Sequence, residues 1–160
     1  MNKFVKGITM LVPVLLVGTI NVALAATKLD LVEEQTLVQR IDNGDGVESP
    51  GDQEIFTSVL KDSTGTVVGS KETTCLLDQP TPNGDFVVDC NEIIFLGQDK
   101  NNALIASGKI NLTGKFFELK PQKLDIIGGT GIYAGAKGKE TVTKLRPQPG
   151  LYSNELVFNF

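Results

Sequence analysis

The sequence predicts an all-β fold: a single eight-stranded antiparallel β-barrel after a cleaved signal peptide. Three observations carry that expectation. Valine, isoleucine, threonine and phenylalanine dominate the core-type positions, and helical periodicity is scarce. Turn-forming residues interrupt the chain at short intervals. The stretch Ile126-Ile127-Gly128-Gly129-Thr130-Gly131-Ile132-Tyr133-Ala134-Gly135-Ala136-Lys137-Gly138 leaves one strand and re-enters another. Its glycines allow the close backbone approach and positive φ that a barrel corner needs.

The chain opens with Lys3 and Lys6, then a short apolar run from Ile8 to Val22 broken by Pro13, Gly18 and Asn21. Ala23-Leu24-Ala25 follows as a small-x-small triplet, so residues 1–25 read as a secretory signal cleaved before Ala26. A membrane anchor is the alternative, but the run is shorter and more interrupted than the roughly 20 apolar residues of a spanning helix. The full chain carries 15 basic and 19 acidic residues; without the two lysines of the signal, 13 stand against 19, a net charge of −6. That balance, with no basic stripe, argues against nucleic acid and against an anionic membrane surface as partners. Residues 26–160 suit one domain with one core, secreted and soluble once the signal is gone.

The first strand is expected near Leu29–Ile41, followed by a turn-rich loop to Pro50-Gly51. Gln53–Lys61, Thr66–Leu77, Phe86–Gly97 and Ala103–Thr113 come next, separated by turns rich in Asp, Asn, Gly and Pro. Phe116–Leu119 is short and ends before Pro121; Lys123–Ile127 leads into the glycine corner. Lys139–Leu145 and Leu151–Phe160 complete the set. Count and spacing fit an up-and-down barrel or a sandwich. Ending on a strand that carries Phe158 and Phe160 suggests that the last strand pairs with the first, which removes both sheet edges.

Cys75 and Cys90 are placed symmetrically about the Pro80–Asp85 turn. If the third and fourth strands form a hairpin, the two oppose each other on one face, within reach of a disulfide. An oxidising compartment favours that bond; two buried free thiols are the alternative. Two cysteines and no histidine argue against a zinc site. The absence of histidine also excludes Ser-His-Asp and Cys-His mechanisms. Asp42-Asn43-Gly44-Asp45-Gly46 with Glu48 lacks calcium-loop spacing and reads as a solvated turn. Asn111-Leu112-Thr113 is a glycosylation sequon if the host secretory path is eukaryotic.

Gly128-Gly129-Thr130-Gly131-Ile132-Tyr133, with Gly135-Ala136 and Gly138, resembles the signature of the allene oxide cyclase barrel-like superfamily, to which dirigent proteins are related. Gly51-Asp52 with Phe56 resembles the Gly-Asp-x-x-x-Phe that opens the second strand of the cyclases. The resemblance covers most of residues 29–160. It implies an eight-stranded barrel, often a homotrimer, with a pocket inside one end and no cofactor. It also implies steering of a reactive intermediate by shape and a few polar groups. The match departs at the chemistry. Leu37 and Gln39 stand where the plant cyclase has its glutamate and asparagine. Ile55 and Ser58 replace a proline and an asparagine, and Ala134 and Lys137 stand where dirigents carry two arginines.

Two functions are therefore expected. One is a secreted barrel that binds a small apolar molecule and steers its cyclisation or coupling. The other is a non-catalytic extracellular ligand-binding or structural barrel. The catalytic candidates are Glu92 and Tyr133. Glu92 shares a face with Phe86, Val88, Cys90, Ile94 and Leu96, where a carboxylate would have a raised pKa and could act as an acid; a bulge would instead put it in water. Tyr133 could donate to an oxygen in the pocket, or simply pack over the barrel end. The binding candidates are Glu54 and Ser58, on one face with Phe56 and Leu60, and Lys137, which could hold an anion. Asp52 is expected to accept backbone N–H groups and fix the start of the second strand. An open lumen containing Glu92 or Tyr133 would favour a ligand; a lumen plugged by Phe56, Phe95 and Phe116 would not.

Overall fold

The computed structural model describes residues 26–44, 46–81, 86–113, 116–117, 120–145 and 150–160. The expected signal, residues 1–25, together with Asp45 and residues 82–85 of the expected turn, lies outside the described residues. Nine strands follow in order: β1 (Thr27–Ile41), β2 (Gln53–Lys61), β3 (Val67–Pro80), β4 (Phe86–Leu96), β5 (Ala103–Thr113), β6 (Phe116–Phe117), β7 (Gln122–Gly129), β8 (Lys137–Lys144) and β9 (Leu151–Asn159). Eight of them close antiparallel into a barrel, β1-β2-β3-β4-β5-β7-β8-β9, with β6 as a short extension of β5. Closure runs through β1 and β9, from Thr27↔Phe158 to Glu34↔Leu151. The expected pairing of first and last strands is therefore present.

Period-2 alternation places the side chains. On β3, Gly69, Lys71, Thr73, Cys75 and Leu77 are buried while Glu72, Thr74 and Leu76 face out. Cys75 and Cys90 are bonded, directly opposed in register with Cα atoms 4.0 Å apart. One correction of parity comes in β1, where the register with β2 shifts between Gln35 and Leu37. Asp52 is buried and takes the role expected of it. Its carboxylate accepts from the backbone N–H of Asn43 at 2.9 Å and of Ser49 at 3.1 Å, and it pairs with Arg40.

The glycine corner is a single 3₁₀ turn, Gly131–Tyr133, between β7 and β8. Gly131 has φ of 57°, and a Cβ there would meet Asn102 Oδ1 at 2.1 Å. The corner is fastened to the β4–β5 turn: the Ile132 N–H donates to Asn102 Oδ1 at 3.0 Å, and Thr130 Oγ1 donates to the Asn101 carbonyl at 2.7 Å. Gly138 lets β8 press against β9, since a Cβ would meet the Val157 carbonyl at 1.9 Å.

Candidate functional site

The barrel interior changes character along its axis. One step towards the glycine corner on each strand lie apolar or small residues: Leu31, Leu60, Gly69, Ile94, Gly138 and Leu156. The next step away from the corner is polar: Glu33 on β1, Ser58 on β2, Lys71 on β3, Glu92 on β4, Glu140 on β8 and Asn154 on β9, all buried. Six strands thus contribute one polar side chain each to a single layer across the lumen.

Lys71 stands at its centre. Its Nζ lies 2.6 Å from Glu33 Oε2, 3.2 Å from Glu92 Oε2, 3.4 Å from Glu140 Oε1 and 3.2 Å from Asn154 Oδ1. Burial favours the neutral amine, yet the three carboxylates outweigh it and hold the ammonium charged, its pKa well above the usual lysine value. Burial likewise works to raise the Glu33 pKa. The Lys71 charge and hydrogen bonds from Lys71, Ser58 (2.7 Å) and Asn154 (2.8 Å) reverse that, so Glu33 sits below the ordinary carboxylate value and is ionised.

Glu140 goes the other way. Burial first, and then the neighbouring Glu92 carboxylate, raise its pKa well above the usual value. Glu92 Oε2 and Glu140 Oε2 are both buried without a hydrogen-bond donor; the 3.2 Å approach of Lys71 to Glu92 is an ionic contact off the hydrogen-bonding line. A proton retained on Glu140 and directed at Glu92 supplies the missing donor. An acid whose pKa is raised in this way, beside a second buried carboxyl group, is the arrangement a general acid requires. Among the described residues no group of His, Cys, Asp or Glu could hold a metal ion; Lys71 occupies the place where the carboxylates converge.

Away from the corner the layer borders a cavity of about 20 Å³, lined by Glu33, Gln35, Phe56, Lys71, Thr73, Glu92, Ile110, Val142 and Tyr152. That is room for one water-sized group. Thr73, the cross-strand neighbour of Glu92, donates from Oγ1 to Glu92 Oε1 at 3.3 Å in its wall. Tyr152 has its pKa pushed up to about 12, by burial first and then by the Glu33 charge, so the phenol is neutral. At the opposite end, towards the corner, lies a larger recess of about 440 Å³ lined by Leu29, Asp30, Leu31, Asp62, Val68, Leu96, Gly97 and Tyr133.

Of the residues expected to matter, Glu92 and Ser58 come together in the lumenal layer. No bulge turns Glu92 out to solvent: its register with Thr73 and Ala106 is regular. Glu54 is half-buried on the same β2 face, two residues beyond Phe56, and burial raises its pKa. Tyr133 belongs to the other end, packed edge-on to Phe158 (5.8 Å between ring centres) and stacked on Phe160 (6.5 Å). Lys137 is exposed at the start of β8, on that same end.

No protein-family model and no curated protein matches the sequence, whereas solved structures do. A pyocyanin demethylase superposes with a TM-score of 0.64 at 27% identity, over 82% of this chain and 99% of the other. The Diels Alderase AbmU from Streptomyces koyangensis gives 0.65 at 18% identity, over 84% and 63%. A pterocarpan synthase dirigent protein gives 0.60 at 14% identity, over 84% and 85%. The chain has the allene oxide cyclase- and dirigent-like barrel fold.

Glu33, Lys71, Glu140 and Asn154 escaped the sequence reading. Leu37, which stands where the plant cyclase has its glutamate, is exposed beyond the bulge, and the buried acid of β1 is Glu33, four residues earlier. For Lys71 a usable signal existed. Once Cys75 is placed inside by its bond, parity puts Lys71 and Thr73 inside too.

Proposed function

We propose that this protein is a secreted barrel that admits a small, mainly apolar molecule to the lumen and steers its rearrangement, cyclisation or coupling without a cofactor, using the Glu92–Glu140 pair as proton donor and acceptor. The single observation behind this reading is the buried Glu92 carboxyl, which lines the cavity and has Glu140 behind it in the same layer. Burying three carboxyl groups around one lysine costs folding free energy that an apolar layer would not, and a buried acid facing a cavity is placed for proton chemistry. The neighbouring structures support the class. Their names include a demethylase, a Diels Alderase and a pterocarpan synthase, all acting on small organic molecules. The bonded Cys75 and Cys90 fit export to an oxidising compartment. In this proposal Lys71 positions the two acids, Ser58 holds Glu33 on the other side of Lys71, and Phe56 and Tyr152 form the wall against which a substrate lies.

A second reading rests on a different observation. The 440 Å³ recess beside Tyr133 is within the range of small-molecule sites, and no buried acid lines it. It suits a carrier that performs no chemistry. Methyl-labelled protein separates the two. Titration with small aromatic compounds should move the Ile110 and Val142 resonances under the first reading. Shifts confined to Leu29, Leu31, Val68 and Leu96 would reject it in favour of the second.

A further inference from the structure

The lumenal cavity is electrostatically one-sided. Glu33 and Glu92, the two acids that line it, share one cation, Lys71, whose closest contact, at 2.6 Å, is to Glu33. Counting the groups nearer the rim, half-buried Glu54 and buried Lys144, adds one of each sign and leaves the excess. Glu92 lines the cavity, is more than nine-tenths buried, and presents Oε2 with no hydrogen-bond donor. Its other oxygen accepts only a 3.3 Å bond from Thr73. The remaining wall includes two aromatic rings, Phe56 and Tyr152. Carboxylates and aromatic rings around a hole for one water-sized group are surroundings that favour an organic ammonium over a neutral or anionic head. The room of about 20 Å³ limits what enters to a head such as –NH₃⁺, with the body of the molecule left towards Gln35 and the rim.

From this arrangement we infer that the polar cavity is selective for a cationic head: the ligand is an amine-bearing organic cation whose ammonium donates to Glu92 and lies against Phe56 and Tyr152. This deepens the lumenal reading and rests on it. The ammonium supplies the positive charge and the donor that the ligand-free layer replaces by keeping a proton on Glu140. Lys71 does not repel it strongly, because Glu33 already neutralises that charge at contact distance.

Three probes of one shape test the idea on the mature protein with its disulfide intact: benzylammonium, benzyl alcohol and benzoate, titrated at neutral pH and followed by the Ile110 and Val142 methyl resonances. Benzylammonium should bind at least tenfold more tightly than benzyl alcohol, and benzoate should not bind. In Glu92→Gln that preference should shrink to about threefold or less, while benzyl alcohol binding is kept. Equal affinity for the ammonium and the alcohol would overturn cation selectivity and leave the lumenal site standing. Shifts confined to Leu29, Leu31 and Val68, or no binding by any probe, would overturn the lumenal site itself. The wild-type comparison is decisive even if the substituted protein folds poorly.

Discussion

Leu31, Leu60, Ile94 and Leu156 fill the lumen on the corner side; two residues further along the same strands, Glu33, Ser58, Glu92 and Asn154 fill it with charge and amide. The backbone treats both layers alike, since both belong to one closed set of ladders. What differs is the reference to water. The apolar layer gains from leaving it, at roughly 25 cal/mol per Å² buried. The ionic layer loses hydration that its internal contacts restore only while every partner is in place. The same wall thus has one half that would tolerate gradual change and another that fails when a single member is removed. Lys71 makes the point most directly, with one ammonium serving three carboxylates and an amide.

The most damaging single change should be Lys71→Met, which keeps the length of the side chain and strands three carboxylates. We expect a loss of about 4 kcal/mol in chemical denaturation with the disulfide kept. Adding Glu33→Gln, Glu92→Gln and Glu140→Gln together should recover most of it. A loss under about 1 kcal/mol for the lysine alone would mean that the layer is hydrated rather than dry. In the other half, Leu156→Ala removes a fully buried side chain and should cost about 3 kcal/mol. It should leave the shape of the stability–pH curve unchanged, because no titratable partner is lost. Ser58→Ala comes next. It deletes a buried 2.7 Å hydrogen bond to ionised Glu33 and should cost about 2 kcal/mol. If it costs nothing, a water has taken the place of the hydroxyl.

The two halves were also unequally legible. Strand positions, the hairpin disulfide and the β9–β1 closure followed from alternation, turn residues and the symmetry of Cys75 and Cys90. β2 and β5 start and stop where the sequence places them. The apolar layer announces itself through Val, Leu and Phe at period 2. The ionic layer does not, because a buried lysine or glutamate looks the same on paper as a solvated one. β8, Lys137-Gly138-Lys139-Glu140-Thr141-Val142-Thr143-Lys144, has almost no apolar alternation, so nothing local says that Glu140 points in and Lys139 out. Only the register with β9, where Glu140 faces Leu156, decides it. For Glu33 the obstacle was the bulge after Gln35, which breaks the inside–outside alternation along β1. Functional sites are where such local rules are expected to break.

The smallest effect is also the most specific to the charged half: the pH dependence carried by Glu140. Two acids of the layer pull stability in opposite directions. Glu33 has a folded pKa below the ordinary 4.5, so its contribution is present above that value and is lost as pH falls. Glu140 is raised well above 4.5, so its contribution is intact below 4.5 and is lost as pH rises towards the folded value. Tyr152 adds a similar loss only between 10 and about 12. Glu140→Gln keeps a neutral donor beside Glu92 and removes the titration. Wild type and variant should therefore be equally stable near pH 4. The variant should pull ahead steadily as pH rises above 4.5, while both lose stability together on the acid side, where Glu33 governs. Denaturation midpoints taken across that range settle it. Two parallel curves would mean that Glu140 is ionised in the folded barrel, and the proton assigned to the Glu92–Glu140 pair would have to be withdrawn along with its role as the acid.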